Sequence, residues 1–313
     1  MNALLFPGQG SQIVGMGSEF YENFDIVKTI FKEADEKLNY NISKIILEGP
    51  ENELQLTQNT QPAILTVSYS IFKVLKDEFG FEFKNFNYFA GHSLGEYSAL
   101  VCAESLSFND AVYLLNERGK AMQEAVPVGK GSMLAVLGIK AEELNNIIKN
   151  INLKEGICEI ANDNANGQII ISGDKDSVQS FQNLLKEKKI KTIPLKVSAP
   201  FHCSLMKPAA EIMKNKINKV KFNDPIFEII NNVTARVEKN SNTIKDLLIN
   251  QIYSTVRWRE SLINMEYAGV KNFIEIGPGK ALIGMVKRTI TNSNCFSINS
   301  IADIKKIENE FKK

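Results

Sequence analysis

The sequence predicts an α/β fold with a mainly parallel sheet and a small second unit inserted into it. Three observations carry this. Short apolar runs alternate with helical patterns at both ends of the chain. A β-α-β-β-α-β order interrupts them between Gly129 and Val197, which is the order of a ferredoxin-like unit. Composition allows a sizeable core, with 44% hydrophobic and 23% charged residues and 18 Phe in 313 residues.

Taken in order, Ala3–Phe6 is apolar and ends in Pro-Gly, as a buried strand leaving its sheet would. Helical spacing follows at Phe24–Leu38 and Pro62–Phe79. Phe86–Ala90 reads as a strand running into Gly91-His92-Ser93-Leu94-Gly95, then a helix to Ala103 and another from Phe108 to Ala125. Ser107 is its expected N-cap. Inside the insert, strands are expected at Met133–Leu137, Cys158–Ala161, Gln168–Ser172 and Thr192–Val197, with helices at Glu142–Ile151 and Val178–Lys188. Alternation resumes with Leu205–Lys219, Phe227–Ile230, Ile244–Tyr253, Arg259–Ala268, Phe273–Ile276 and Leu282–Thr291. The division is therefore 1–128 with 198–313 as the large domain and 129–197 as the small one.

Several function classes are excluded. Thirty-seven Lys+Arg against 36 Asp+Glu give a net charge of +1, which provides no general attraction for nucleic acid or anionic membrane. The opening segment reads as no signal peptide, and no apolar run is long enough to span a bilayer. Four scattered cysteines without a CxxC pair fit reduced thiols in a cytoplasmic protein, and no metal-ligand cluster is evident.

Gly91–Gly95 fits G-x-S-x-G, in which a strand turns into a helix so sharply that side chains at the flanking positions would collide. The serine oxygen then stands at a helix N-terminus, where N–H groups favour developing negative charge. Of the two histidines, His92 sits inside this turn and should point away from the Ser93 oxygen. His202, on a loop after the insert, is the expected base. No third acid announces itself, although Asp163, Asp174 and Asp176 precede His202. A backbone carbonyl or an amide could orient the imidazole instead.

Arg118 shares the apolar stripe of its helix with Ala111, Leu114, Leu115, Ala121 and Met122. A guanidinium facing the interior needs an anion, either a structural acid or a substrate carboxylate. Pro7-Gly8-Gln9-Gly10-Ser11-Gln12 fails the dinucleotide fingerprint at Ile13 and the P-loop pattern at Met16. A glycine turn there can still offer an N–H to an oxyanion. Cys203 reads as packing, and Lys305–Lys313 as a solvated helix face.

With FPGQGSQ at Phe6–Gln12, TQPA at Thr60–Ala63, GHSLGEY at Gly91–Tyr97, ERGKAM at Glu117–Met122, ANDNANGQ at Ala161–Gln168, PFHCSLM at Pro200–Met206 and EIGPGK at Glu275–Lys280, the chain resembles the malonyl-CoA:acyl carrier protein transacylases of fatty-acid synthesis. The resemblance spans essentially the whole chain. It implies an α/β-hydrolase-like core with a ferredoxin-like insert, Ser93 as nucleophile, His202 as base and Gln251 as the residue orienting it. It also implies an oxyanion hole from the Gln9 and Leu94 N–H groups, with Arg118 on the malonyl carboxylate beside Met122, and Asn162 lining the cleft. Leu94 and Phe201 match malonyl-selective members, a bulky Phe201 crowding an α-methyl group. Departures are minor, with Cys203 where serine is common and Arg257 before the tryptophan. The expected partners are malonyl-CoA and acyl carrier protein, with no cofactor, and a monomer is expected. A serine hydrolase, a polyketide acyltransferase acting in trans and a scaffold with a dead site are the rival readings.

Overall fold

The structure, a computed structural model, describes residues 1–150, 156–195, 197 and 199–311, with side chains described to residue 307. Ten strands occur among these residues. They are β1 Asn2–Phe6, β2 Phe86–Gly91, β3 Gly131–Leu137, β4 Cys158–Ala165, β5 Gln168–Asp174, β6 Lys191–Pro194, β7 Glu228–Ile230, β8 Val237–Glu238, β9 Asn272–Ile276 and β10 Asn294–Ile298.

Six of them form one sheet in the order β10-β9-β1-β2-β7-β8. All its pairings are parallel except β7 with β8. Strand β1 lies in the middle and is apolar from Ala3 onward because both of its faces are covered. Leu4 and Phe6 enter the larger core cluster, with Phe89 of β2, while Ala3 and Leu5 enter the cluster on the opposite face, with Ala90. The predicted α/β class with a mainly parallel sheet is the one observed.

The insert has its own antiparallel sheet, ordered β4-β5-β3-β6, with helices Ala141–Asn150 and Lys175–Glu187. In the chain order of the unit this is 2-3-1-4, the ferredoxin-like arrangement. We propose 129–197 as its limits. Ser198 at that junction, Ile151 at the end of the expected helix, Lys196 within the expected last strand, and Lys312–Lys313 lie outside the described residues.

Three differences from the sequence reading have physical causes. Strand β4 runs to Ala165, not Ala161. Asp163 and Asn164 give the sequence no strand pattern, but their polar side chains are satisfied on the core domain. Arg259 Nε donates to both Asp163 carboxylate oxygens, at 2.9 and 3.0 Å, and Asn164 Oδ1 lies 2.8 Å from His92 Nε2. The helix expected from Pro62 begins at Thr57. Pro62 has no N–H for the Gln58 carbonyl, and Asn116 Nδ2 donates to that carbonyl instead at 2.9 Å. Edge strand β10 and the short helices Ser18–Asn23, Ile42–Glu48 and Glu51–Gln55 are absent from the sequence reading, being too brief to show a period. Ser107 does cap Phe108–Glu124, accepting from Asp110 N at 3.1 Å.

Candidate active site

Parallel pairing brings three loops to one edge of the sheet. Phe6 aligns with Gly91 and Ala90 with Ile230. The turn holding Gln9, the turn holding Ser93 and the pair Asn231-Asn232 therefore leave the sheet side by side at its C-terminal edge, where α/β folds collect their sites.

The turn after β2 has the geometry its glycines demand. Ser93 is held at φ 53°, a conformation that costs a non-glycine residue energy. A Cβ at Gly91 would lie 1.9 Å from the Gly95 carbonyl carbon, and one at Gly95 would lie 2.2 Å from the Phe6 carbonyl oxygen. Asn232, fully buried, clamps the strained turn from the side. Its Oδ1 accepts from Ser93 N at 2.7 Å and its Nδ2 donates to the Gly91 carbonyl at 2.8 Å.

His202 Nε2 lies 2.8 Å from Ser93 Oγ, and His202 Nδ1 lies 2.8 Å from the Gln251 backbone carbonyl. A carbonyl can only accept, so Nδ1 carries the proton and Nε2 presents a lone pair to the serine hydroxyl. The group orienting the imidazole is thus the Gln251 main chain and not an acid, while the Gln251 side chain faces elsewhere. Burial, and after it the positive charge of Arg118, pushes His202 down to about 3, so the ring is neutral at ordinary pH. His92 points away, as its place in the turn requires, and packs edge-on to Trp258.

Arg118 is 1% exposed and faces inward from Phe108–Glu124. Its Nη1 donates to Gln61 Oε1 at 2.7 Å, and its Nη2 to Gln251 Oε1 at 3.0 Å and Ser93 Oγ at 3.1 Å. Its Nε has no partner among the described residues. Nor does any carboxylate among them lie within ion-pair distance of it. Among the described residues no acid therefore pairs directly with Arg118, and the buried Glu96 acts on it only through space.

A cavity of about 260 Å³ joins these groups. Ser93, His202 and Arg118 line it, as do Gln9 and Leu94, whose N–H groups have no acceptor among the described residues. Met122, Phe201 and Asn162 line it too, while Gln251 is fully buried and does not reach it. Cys203 is buried and its thiol donates to the Pro200 carbonyl at 3.1 Å. The described residues contain no group of side chains arranged to hold a metal, and no helix long and apolar enough to cross a membrane.

Three participants are not singled out by the sequence. Gln61 lies in the TQPA motif and Glu96 in GHSLGEY, so both fall within quoted stretches. Asn232 carries no signal. Glu96 is buried beneath the turn and accepts from Asn231 Nδ2 at 2.6 Å, Asn232 N at 3.1 Å and Gln251 Nε2 at 2.8 Å. Burial pushes its carboxyl up to about 7.

A hydroxyl on a strained turn, a neutral imidazole against it and a pair of free N–H groups lining one cavity define an enzyme of the acyl-transferring class. The chain belongs to the acyl transferase domain family, which it matches over residues 3–312, and within it to the malonyl CoA-acyl carrier protein transacylases. The transacylase of that name from Bacillus subtilis is 47% identical over 287 residues, covering 91% of this chain and 89% of the relative. The solved acyl-carrier-protein S-malonyltransferase of Bartonella henselae superposes with a TM-score of 0.96 at 39% identity, covering 100% of this chain and 99% of that one. A malonyl-transacylase solved with its type II polyketide acyl-carrier protein gives 0.95 at 37% identity, covering 99% of each.

Proposed function

We propose that this acyltransferase moves a malonyl group from malonyl-CoA to the phosphopantetheine thiol of acyl carrier protein, through a malonyl ester on Ser93. His202 Nε2 takes the hydroxyl proton as Ser93 Oγ attacks the thioester carbonyl. The N–H groups of Gln9 and Leu94 receive the oxyanion. The C–S bond breaks, the CoA sulfur leaves with the proton from His202, and the ester remains with its free carboxylate on Arg118. The carrier thiol then gives its proton to His202 and attacks the ester carbonyl. Ser93 regains the proton as the C–O bond breaks, which is ping-pong transfer. No cofactor takes part.

The observation that carries this reading is Arg118, buried beside Ser93 with no carboxylate in direct contact among the described residues. A neutral acyl group would leave a buried guanidinium unpaired, whereas a malonyl carboxylate supplies its anion. Phe201 and Met122 narrow the same cavity, which suits an acyl chain without an α-branch. The free thiols Cys102, Cys158, Cys203 and Cys295 accord with a cytoplasmic setting, and we take the working unit to be a monomer.

The test is transfer itself. Enzyme, malonyl-CoA and a phosphopantetheinylated carrier protein should yield malonyl-carrier, with little free malonate formed when the carrier is withheld. Steady release of malonate without carrier would make the protein a hydrolase.

A further inference from the structure

We infer that Gln61 sets the charge selectivity of the acyl pocket, by holding the Arg118 guanidinium in place with an acceptor that carries no charge. This rests on the malonyl reading above and names the residue that keeps the pocket open to an anion.

The three acceptors of Arg118, Gln61 Oε1, Gln251 Oε1 and Ser93 Oγ, are all neutral. Two long amides orient the guanidinium through hydrogen bonds while leaving its charge unneutralised. The carboxyl nearest in the network is Glu96, and it is separated from Arg118 by the Gln251 amide, whose Nε2 donates to Glu96 while its Oε1 accepts from Arg118.

Gln61 differs from Gln251 in position. It reaches Arg118 from the helix Thr57–Asp77, and it lines the cavity where Gln251 does not. Its amide is turned with the oxygen on Arg118 and the nitrogen toward Met122 Sδ, 3.9 Å away. Two helices must cross closely for this contact, and Gly119, next to Arg118, lets them. A Cβ there would lie 2.4 Å from Gln58 Cα.

A glutamate has the same shape as glutamine. At position 61 it would place a carboxylate on Nη1 of a buried guanidinium, an ion pair that occupies the charge the substrate carboxylate needs. The pocket would then favour an uncharged acyl group.

Two variants separate charge from packing. Wild type, Gln61→Glu and Gln61→Leu are acylated with malonyl-CoA and with acetyl-CoA over a range of concentrations, so that KM and kcat resolve for each. Melting temperatures are measured alongside. The expected result is a fall in the malonyl-to-acetyl ratio of kcat/KM on the order of 100-fold for Gln61→Glu, carried mainly by the malonyl KM. For Gln61→Leu, which removes the acceptor and adds no charge, the fall is about tenfold. A ratio within threefold of wild type in Gln61→Glu overturns the inference, and so does an equal fall in both variants, which makes Gln61 a packing residue. If Gln61→Glu does not fold, Gln61→Leu decides alone, with an unchanged ratio overturning the inference and a tenfold fall with raised malonyl KM supporting it. A wild type with no malonyl preference overturns the proposed function instead.

Discussion

Arg118 Nη2 donates to Ser93 Oγ at 3.1 Å while the same oxygen meets His202 Nε2 at 2.8 Å. The serine oxygen is thus poised between a cation that favours its alkoxide and a base that can take its proton.

Replacing Arg118 by Ala should therefore cost malonyl transfer far more than acetyl transfer. We expect malonyl kcat/KM to fall on the order of 100-fold or more, and the malonyl-to-acetyl ratio to approach one. Arg118→Lys should recover little, because a lysine cannot serve two amide oxygens and the serine in one plane. Steady-state kinetics with both thioesters checks this, and an unchanged ratio would remove the clamp.

The acid side of the pH profile should be unusual. With His202 pushed down to about 3 from an ordinary 6.5, single-turnover acylation should not lose its base as pH falls through 6.5. Stability moves the other way. Below 6.5 the unfolded chain takes up a proton that native His202 refuses, so its contribution to stability is present above 6.5 and is lost as pH falls toward 3. Glu96 has the opposite sign, since its folded value of about 7 against an ordinary 4.5 costs stability as pH rises through that window. The acid limb of acetyl transfer should rise toward neutrality in Arg118→Ala, where the repelling charge is gone. Glu96→Gln serves to separate the two titrations. An acid limb near 6.5 in the wild type would contradict the assignment.

Asn232→Ala should damage both fold and chemistry. It orphans the Ser93 N–H and the Gly91 carbonyl, two buried backbone groups at a strained turn, at about 1–3 kcal/mol each. Denaturant unfolding should show about 2–4 kcal/mol lost, with a lower kcat for every acyl donor and an unchanged malonyl-to-acetyl ratio. A change in selectivity without loss of stability would contradict the clamp role.

Gly119→Ala should push apart the helices Thr57–Asp77 and Phe108–Glu124. The expected costs are about 1–3 kcal/mol of stability, as for overpacked cores, and a reduced malonyl preference as Gln61 is drawn off Arg118. Both are read from the same purified variant, by melting and by paired kinetics. Wild-type stability in Gly119→Ala would show that the crossing has slack.

How much was legible in the sequence depends on how local each signal is. The turn at Gly91–Gly95 declares itself, because only glycine fits its two flanks, and the inward face of Arg118 follows from helical spacing. The β-α-β-β-α-β order of the insert is readable because its apolar strand runs and helical patterns are separated by turn residues. Asn232 and Glu96 are not, since their roles depend on β7 lying beside β2, a pairing that joins stretches far apart in the chain. The polar half of β4 escapes the sequence for the same reason, its partners being Arg259 and His92 on the other domain. Gln251 is implied by resemblance as the residue that orients the histidine. The atom that contacts His202 is its main-chain oxygen, which any residue would supply, and the side chain instead joins Arg118, Glu96 and the Ser93 carbonyl.

The most direct test is the mass of the intact protein after brief mixing with malonyl-CoA, followed by mapping of the labelled peptide, with Ser93→Ala and acetyl-CoA in parallel. One malonyl group is expected on Ser93 of the wild type, none on Ser93→Ala, less label from acetyl-CoA, and discharge by a carrier thiol in preference to water. A malonyl label retained by Ser93→Ala, or equal labelling by the two thioesters, would contradict the proposed function.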